Sequence, residues 1–401
     1  MNIFSKAFYR SIHFGFYFIK PLLPYKPPVV LDKIEEITTK LVELKKKTVM
    51  LVSDKMVREI KLTESLEQSL INAGIKVVIY DEVCPNPTSG NVEKGVALYN
   101  KEKCDSIIAF GGGSPIDCAK AIGARIVRPK KSLKQLKGIL KVGKKLPTLF
   151  AVPTTAGTGS ETTITSVISD STTHEKYTIN DFKLVPDYAV LDPVVTFTLP
   201  KHLTSTTGLD ALTHAVEAYI GKSTSKTTRK QAIEAIKLIF DNLSIAYENP
   251  TDYEARKNML IASNLAGKAF SMSYVGYVHA VAHTLGGKYN VPHGLANSIL
   301  LPYFLKDYGK AIYKKIYEIS VAIGFVDKNT SYKNAYDTFM ARLNDLLVRL
   351  DIPKHVKGIK VEDIPSMAVT AAKEANHIYP VPVLKTAKEL EKYYYLVRDD
   401  K

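Results

Sequence analysis

The sequence predicts an α/β N-terminal domain with a doubly wound, mainly parallel sheet, followed by an all-α C-terminal domain. Short apolar runs alternate with helical periods up to about residue 200, and long helical periods dominate after it. The 401 residues also suffice for two to three domains at roughly 150 residues each. We therefore expect an N-terminal arm over residues 1–30, an α/β domain over 31–200 and a helical domain over 201–401. A cleft between two such domains is a common place for a ligand.

Composition excludes several classes of protein. Hydrophobic residues make up 45% and charged residues 24%, which is typical of globular proteins and excludes disordered and fibrous chains. The net charge of +15 raises the question of an anionic partner, but no zinc-finger spacing or aromatic RNA-binding motif is present, so nucleic acid is not expected. Three cysteines, Cys84, Cys104 and Cys118, lack CxxC spacing, which favours a reducing, cytoplasmic location.

The first 30 residues mix aromatic and cationic side chains. The cationic residues are Lys6, Arg10, Lys20 and Lys26. His13 interrupts the apolar stretch and no small-residue cleavage site follows, so a secretory signal is not expected. No stretch of the chain reaches the roughly 20 apolar residues that span a bilayer. The favoured interpretation is an arm that packs on its own domain or on a second subunit, and the alternative is a peripheral membrane contact of residues 1–28.

The elements of the N-terminal half follow from apolar runs and helical spacing. Strands are predicted at residues 48–53, 76–80, 105–110 and 148–152, and helices at 62–73, 92–99 and from Pro115. In the basic segment 128–145, the spacing of the apolar residues predicts that they pack inward while the lysines face water. These apolar residues are Leu133, Leu136, Leu140 and Val142.

The C-terminal half shows helical spacing almost throughout. Helices are predicted at residues 207–220, 227–247, 253–271, 332–350 and 386–396.

Two polar loops follow predicted strands and could bind a nucleotide. Residues 110–117 (FGGGSPID) place glycines before a helix, where backbone amides can approach phosphate. Ile116 occupies the last glycine position of the GxGxxG fingerprint, so a plain strand-to-helix connection is an equally good interpretation. A second loop, residues 153–161 (PTTAGTGSE), strengthens the nucleotide interpretation, because loops at the carboxyl ends of parallel strands line one crevice.

Asp54 follows the first of these strands. A carboxylate there could accept a hydrogen bond from a ribose 2′-hydroxyl and would repel a 2′-phosphate, which favours NAD over NADP. A helix N-cap is an equally good interpretation of this aspartate.

Histidines and an aspartate cluster in the helical half. Asp210 and His214 are four residues apart, as are His279 and His283, and His293 follows a turn. Each pair would share one helix face. One such pair is usually coincidence, but two pairs and His293 indicate a nitrogen-and-carboxylate site for Fe(II) or Zn(II). The remaining histidines are interpreted as structural or surface residues, namely His13, His174, His202, His355 and His377.

Five strings together resemble the iron-containing (group III) alcohol dehydrogenase family. They are GGGSPIDCAKAIG (111–123), VPTTAGTGSETT (152–163), VPDYAVLDP (185–193), GLDALTHAVEAY (208–219) and HAVAHTLGGKYNVPHGLANSILLP (279–302). They occur in the family's order, and the resemblance covers about residues 30–400. Residues 85–88 (PNPT) also look like a turn of that family.

The resemblance implies a dehydroquinate synthase-like architecture, with an N-terminal dinucleotide-binding domain and a C-terminal metal-binding domain. It implies metal ligation by Asp210, His214, His279 and His293. His283 matches the family's histidine near the nicotinamide and is the candidate catalytic residue, as a proton relay. The implied cofactor-binding residues are Asp54, Asn86, Gly112, Gly113, Ser114, Asp117, Thr154, Thr155, Thr158 and Lys176.

The implied activity is reversible hydride transfer between a primary alcohol or diol and NAD(P), with aldehyde reduction in the reverse direction. The implied cofactors are NAD, favoured over NADP, and Fe(II), with Zn(II) as the alternative. The implied partners are a small alcohol or aldehyde and a second copy of the chain in a homodimer.

Three other functions compete with this interpretation. A glycerol-type polyol dehydrogenase or a related lyase could use the same scaffold, a metallohydrolase could use the metal cluster without a nucleotide, and a non-catalytic membrane-associated protein would explain the aromatic arm. Two departures from the family also stand out. The segment before Leu31 is longer and more aromatic, and Lys288 would place a cation near the cleft.

Overall fold

The structure is a computed structural model that describes residues 3–19, 23–173 and 175–399. His174 lies outside the described residues. The chain divides into two compact units. The sheet unit is formed by Pro24–Leu199, and the helical unit by Pro200–Lys401 together with the described part of the first 23 residues.

Nine strands are assigned in the described chain. They are β1 (Val29–Leu31), β2 (Thr48–Val52), β3 (Lys76–Tyr80), β4 (Ser106–Gly111), β5 (Gly138–Ile139), β6 (Thr148–Pro153), β7 (Thr165–Ser169), β8 (Lys176–Asn180) and β9 (Tyr188–Val190).

Sixteen α-helices accompany them in the described chain. They are α1 (Ile3–Ile19), α2 (Glu35–Glu43), α3 (Lys55–Glu59), α4 (Glu64–Asn72), α5 (Ser89–Lys101), α6 (Gly113–Val127), α7 (Leu133–Leu136), α8 (Lys201–Ile220), α9 (Lys226–Glu248), α10 (Tyr253–Ser273), α11 (Tyr277–Tyr289), α12 (His293–Tyr308), α13 (Tyr313–Ala322), α14 (Tyr332–Arg349), α15 (Ile364–Ile378) and α16 (Ala387–Val397).

A six-stranded sheet in the order β1-β9-β6-β4-β2-β3 forms the centre of the sheet unit. Every pairing in it is parallel. Parallel strands need crossover connections, and α4, α5 and α6 each connect two strands of this sheet. Because β6, β4 and β2 are neighbours, the loops after their carboxyl ends leave the same edge of the sheet side by side.

Both faces of this sheet are buried. In β4, Ile107 contributes to one apolar cluster and Ile108 to another, and Leu149 and Phe150 divide in the same way in β6. Since successive side chains of a strand point to opposite faces, the two clusters lie on the two sides of the sheet. Helices cover both clusters, as expected for an all-parallel sheet. The predicted α/β fold class is confirmed.

The four predicted strands agree with β2, β3, β4 and β6 to within one residue at each end. The sequence analysis did not predict β1 and β9, which extend the main sheet, or the smaller sheet in the order β5-β8-β7. Strands β1 and β9 have only three residues each, which are too few to show an alternating pattern.

In the basic segment, Leu133, Leu136 and Val142 are buried as predicted. The prediction is wrong for Leu140, which is exposed because the chain turns there with a positive φ of 55°.

The helical unit is built around α8, which packs against α9, α10 and α12. Residues Gly208–Ile220 of α8 are buried on every side, which is typical of a central helix. Close packing depends on Gly208, because a Cβ there would lie 2.9 Å from a methyl group of Leu243 on α9. The predicted all-α C-terminal half is confirmed, and all five predicted helices are present.

Helix α1 packs on α15 in the helical unit. The Arg10 guanidinium donates hydrogen bonds to the carbonyl oxygens of Val381 (2.7 Å) and Pro382 (2.9 Å), and His13 Nε2 lies 3.2 Å from the carbonyl oxygen of Asn376. On the other face, Phe4 is 83% exposed. The described part of the arm therefore contacts its own chain. Within the described ranges, no helix combines the length and apolar character needed to cross a bilayer.

We expect the packing of α1 to weaken on acidification. Burial and the Arg10 charge lower the pKa of His13 to about 4, against an ordinary value of 6.5. Between these values the unfolded arm binds more protons than the packed arm, so packing is strongest above the ordinary value and weakens as pH falls towards 4. Hydrogen–deuterium exchange of α1 amides, corrected for intrinsic rates, measures the effect between roughly pH 4.5 and 7.

The control variant is His13→Gln, whose amide can still donate to Asn376 but does not titrate. Its exchange should not depend on pH in this range. An equal pH dependence in both proteins would contradict the assignment to His13.

Candidate metal centre and nucleotide-binding loops

Helix α8 carries the first two residues of the candidate metal centre. Asp210 and His214 are one helical turn apart and therefore lie on the same face. Both are buried, with 2% and 5% of their surface exposed. A buried carboxylate is costly unless a hydrogen-bond donor or a cation satisfies it, so its position needs an explanation.

Helices α11 and α12 supply the other two residues. His279 lies in the first turn of α11, and His293 is the first residue of α12. Gly294 lets α12 approach α8 closely, since a Cβ at this position would lie 2.9 Å from the carbonyl carbon of Thr206. His293, which precedes Gly294, is therefore held close to Asp210.

The four predicted ligands converge on one point. Their ligand atoms all lie within 4.8 Å of one another. From Asp210 Oδ1, His293 Nε2 is 3.5 Å away and His279 Nε2 is 3.8 Å away, while His214 Nδ1 lies 4.0 Å from Oδ2. The rings of His214 and His279 are stacked, with centroids 4.4 Å apart.

A divalent metal ion fits this cluster. His279 Nε2 is buried and has no hydrogen-bond partner among the described residues, although it points into a group of polar atoms. Burial, together with the neighbouring imidazoles, lowers the pKa of His279 well below its ordinary value. The ring is therefore neutral at pH 7 and can offer a lone pair to a metal. One carboxylate and three imidazoles form a donor set suited to Fe(II) or Zn(II).

Two polar residues that the sequence analysis missed hold these ligands. Asn297 donates from its amide to Asp210 Oδ1 at 2.7 Å. Glu217 Oε2 lies 2.6 Å from His279 Nδ1. Burial raises the pKa of Glu217 to about 7, although the backbone amides of Gly276 and Val278 favour its charged form. Spacing could have indicated both, since Glu217 is seven residues after Asp210 on α8 and Asn297 is four after His293.

His283 lies beside the cluster and is 43% exposed. Its ring stacks on that of His293 with centroids 5.2 Å apart, and its Nδ1 lies 2.7 Å from Glu374 Oε1. The Tyr379 hydroxyl donates to the same oxygen at 2.6 Å. Burial alone would raise the pKa of Glu374, but His283 and Tyr379 lower it below its ordinary value. The Glu374 carboxylate thus holds the His283 ring at its Nδ1 atom.

Lys288 forms an ion pair in the structure. Its ammonium lies 3.2 Å from Asp363 Oδ1, and the neighbouring Tyr289 hydroxyl donates to the other oxygen of that carboxylate. The expected cation is therefore paired at an exposed position.

In the sheet unit, the two glycine-containing loops contact each other. Thr154 N donates to the carbonyl oxygen of Gly111 at 3.0 Å, and a Cβ on Gly113 would lie 3.0 Å from the Thr158 side chain. Only glycine suits position 111, because its φ is +152° and a Cβ would lie 2.6 Å from Pro115. The backbone of this loop, which leads into α6, is therefore accessible in a way that a side chain would prevent.

Most other predicted cofactor-binding residues surround these loops. The Lys176 ammonium donates to Asn86 Oδ1 at 2.7 Å, and Asn86 N donates to Ser114 Oγ at 3.3 Å. Burial lowers the pKa of Lys176. Asp54 caps α3, with Oδ1 accepting from Val57 N, while Oδ2 lies 3.4 Å from the position of a Cβ on Gly111. Asp54 is therefore the N-cap of α3 and also lies beside the glycine loop. A Cβ on Gly112 would lie 3.5 Å from Thr155, which completes the set around the loops.

Asp117 contacts the second loop from α6. It is half-buried, with Oδ1 accepting from Ser160 Oγ at 2.5 Å and Oδ2 accepting from Val167 N at 2.9 Å. Lys120, one turn later on α6, donates three hydrogen bonds of 2.9 Å to Thr163 and Thr165. Burial lowers the pKa of Lys120 to about 8. Asp117 therefore holds the end of the second loop against α6, and Lys120 holds the residues that follow it.

Metal-dependent, nicotinamide-linked dehydrogenases are the class of protein that combines a helical Asp/His cluster with such loops in one chain. Comparison with known proteins gives the family. The model for "Iron-containing alcohol dehydrogenase" matches residues 29–193, and that for the C-terminal part of the Fe-containing alcohol dehydrogenase family matches residues 204–394. The chain belongs to the iron-containing alcohol dehydrogenase family.

Individual relatives agree with this assignment. The chain is 41% identical to a 1,3-propanediol dehydrogenase of Klebsiella pneumoniae over 334 residues, which cover 82% of this chain and 86% of the relative. It is 34% identical to an NAD-dependent methanol dehydrogenase of Bacillus methanolicus over 340 residues, covering 84% and 89%. A solved 1,3-propanediol oxidoreductase superposes with a TM-score of 0.88 at 36% identity, covering 92% of this chain and 98% of that one. The predicted family and oxidoreductase class are confirmed.

Proposed function

We propose that this chain transfers a hydride between a primary alcohol or a diol and NAD, and reduces the corresponding aldehyde in the reverse direction. The convergence of Asp210, His214, His279 and His293 within 4.8 Å, in a member of this family, carries the proposal. Relatives named for 1,3-propanediol and methanol support a small primary alcohol or diol as the substrate.

The four converging residues would hold Fe(II), or Zn(II) in its place. A divalent ion bound there supplies Lewis-acid polarisation of the substrate oxygen. Asp210 contributes a negative charge, and the imidazoles contribute neutral nitrogen donors. Asn297 holds the aspartate in a fixed orientation through its amide.

The domain over residues 31–200 would bind the dinucleotide. The nicotinamide ring of that cofactor accepts or donates the hydride. Backbone amides around Gly112, Gly113 and Ser114 lie at the start of α6, where partial positive charge favours phosphate. Thr154, Thr155 and Thr158 offer hydroxyl groups in the facing loop. Asn86 contacts Ser114 of the first loop, and Lys176 donates to Asn86. Asp54 supports NAD over NADP, because its charge would repel a 2′-phosphate.

His283 would relay the proton that leaves the alcohol hydroxyl to solvent. Its partial exposure gives the ring access to water, and the contact of its Nδ1 with Glu374 supports a fixed ring orientation. Histidine is suited to this step because its ordinary pKa is close to neutral.

We also propose a cytoplasmic homodimer, as the family resemblance implies. Cys84, Cys104 and Cys118 are free thiols, which suits a reducing compartment. The contacts of Arg10 and His13 support an arm that packs on its own domain, and peripheral membrane contact of residues 1–28 is the alternative.

Two other functions would use the same residues. A glycerol-type polyol dehydrogenase differs only in substrate, and a panel of ethanol, 1,3-propanediol and glycerol separates it from the proposal. A metallohydrolase would need the cluster but no nucleotide, and family membership argues against it.

Protein purified without oxygen and loaded with Fe(II) or Zn(II) should reduce NAD when a primary alcohol or diol is added. The absorbance of the reduced nicotinamide measures this directly. Asp210→Asn should lower kcat/KM about 100-fold or more, because a ligand worth several kcal/mol of transition-state stabilisation is lost. Asp241→Asn, which alters an exposed aspartate of α9, is the matched control. Turnover without any change in cofactor absorbance would reject the proposal.

His283→Ala should lower the rate of alcohol oxidation about 100-fold and remove the limb of the pH profile where activity falls on acidification. The limb arises because a protonated imidazole cannot accept the proton. Steady-state kinetics across pH measure both effects. His202→Ala, at an exposed position of α8, should leave the profile unchanged. An unaltered profile in His283→Ala would exclude the relay.

Asp54→Ser should shift the preference for NAD over NADP by roughly tenfold towards NADP, since removing one like charge near the ribose is worth about 1–2 kcal/mol. Serine retains the N-cap of α3, so the helix should persist. The measurement is the ratio of kcat/KM for the two cofactors. Asp54→Ala, which removes both the charge and the cap, shows how much of the change is structural. A constant ratio would mean that Asp54 does not select the cofactor.

A further inference from the structure

Glu217 is a buried carboxylate that directly contacts one of the candidate metal ligands. It lies on α8, on the same face as Asp210 and His214, and only 4% of its surface is exposed. Oε2 lies 2.6 Å from His279 Nδ1, on the opposite side of that imidazole from the cluster. A buried carboxylate with no role would be a large cost to the fold.

Its remaining contacts are also hydrogen-bond donors. Gly276 N donates to Oε2 at 2.8 Å, and Val278 N donates to Oε1 at 2.9 Å. With two backbone amides donating to it, the side chain is arranged to accept hydrogen bonds in its ionised form. A cation on the far side of the imidazole favours that form further.

We propose that Glu217 is a positioning residue for the metal: it holds the proton of His279 on Nδ1, so that the Nε2 lone pair points into the cluster before a metal binds. This inference rests on the metal site of the proposed function. The unpartnered state of Nε2 among the described residues is what such a tautomer predicts. Ligating histidines generally need a partner of this kind at their second nitrogen.

The sequence around Gly276 is adapted to this carboxylate. A Cβ on Gly276 would lie 3.0 Å from Glu217 Cδ and closer still to Oε1. Alanine at this position must therefore displace the carboxylate without altering its charge. Gly276→Ala and Glu217→Gln thus test the same contact in two independent ways. Glutamine alters the chemistry, because it keeps only one acceptor oxygen and in either orientation its NH₂ group faces a backbone N–H donor, of Gly276 or of Val278.

The test measures metal affinity in the metal-free protein, by competition for Zn(II) with a chromophoric chelator. We expect Glu217→Gln and Gly276→Ala each to weaken Zn(II) binding about 10- to 100-fold. Two matched controls should bind as the wild type does. Glu318→Gln alters a carboxylate on α13 that accepts a hydrogen bond from Tyr219, a residue of the same helix as Glu217. Gly287→Ala adds a methyl group on α11 at a position where nothing lies within 4 Å.

Thermal unfolding of the metal-free proteins shows whether each variant is folded. A purely structural role of Glu217 would lower the melting temperature and leave the Zn(II) affinity of the folded protein unchanged. Zn(II) binding within threefold of wild type in the folded variants would overturn the proposal. If Glu217→Gln fails to fold, Gly276→Ala decides.

A measurement on the unaltered protein completes the test. Histidine ring ¹⁵N spectra of the metal-free wild type should show a ring protonated on Nδ1 whose Nε2 signal moves when Zn(II) is added. If every ring that responds to Zn(II) carries its proton on Nε2 beforehand, the proposal is wrong. Alcohol oxidation is not measured, so a failed hydride-transfer assay rejects the proposed function and leaves this result standing.

Discussion

The helical unit depends on one geometric constraint: three helices must bring four donor atoms to a common point inside a buried region. Helix α8 meets it with one face, on which Asp210, His214 and Glu217 recur at intervals of four and three residues. The other two helices reach this face because Gly276 and Gly294 have no side chains. Glycine at the start of α11 and α12 is thus required by the donors on α8, and local helix propensity does not explain it.

The same constraint explains why so many polar groups are buried together. An isolated carboxylate or imidazolium in an apolar interior is costly, so the arrangement is stable only if each group has a partner. Asn297 and the amides of Gly276 and Val278 provide part of this, and burial keeps His279 neutral. His279 Nε2 has no hydrogen-bond partner among the described residues, and a cation is a partner that suits it. The contacts of Asp210 and His279 with Asn297 and Glu217 hold these two side chains in place independently of a bound ion.

Local sequence patterns predicted the elements that are long or strongly apolar, but not all of the candidate site. Strands β2, β3, β4 and β6 and the long helices were predictable because their periods extend over many residues. Spacing alone indicated five candidate ligands and could not separate His283 from His279, which share a helix. The structure separates them through Glu374, which lies 91 residues beyond His283 and contacts it only because α15 packs on α11. No periodicity encodes a contact of that range.

Asp117 shows why polar residues in a nucleotide-type loop need coordinates before they receive a role. Its position in the sequence, within a glycine-rich turn at a helix start, is typical of a residue that contacts a ligand. Its oxygens accept hydrogen bonds from Ser160 and Val167, while Lys120 bonds Thr163 and Thr165 from the next turn of α6. These bonds hold the end of the second loop and the residues after it against α6. The Glu217 carboxylate is bonded in a similar way to the His279 imidazole and to two backbone amides. In both units, an acidic side chain fixes a neighbouring part of the candidate site through hydrogen bonds that sequence spacing does not reveal.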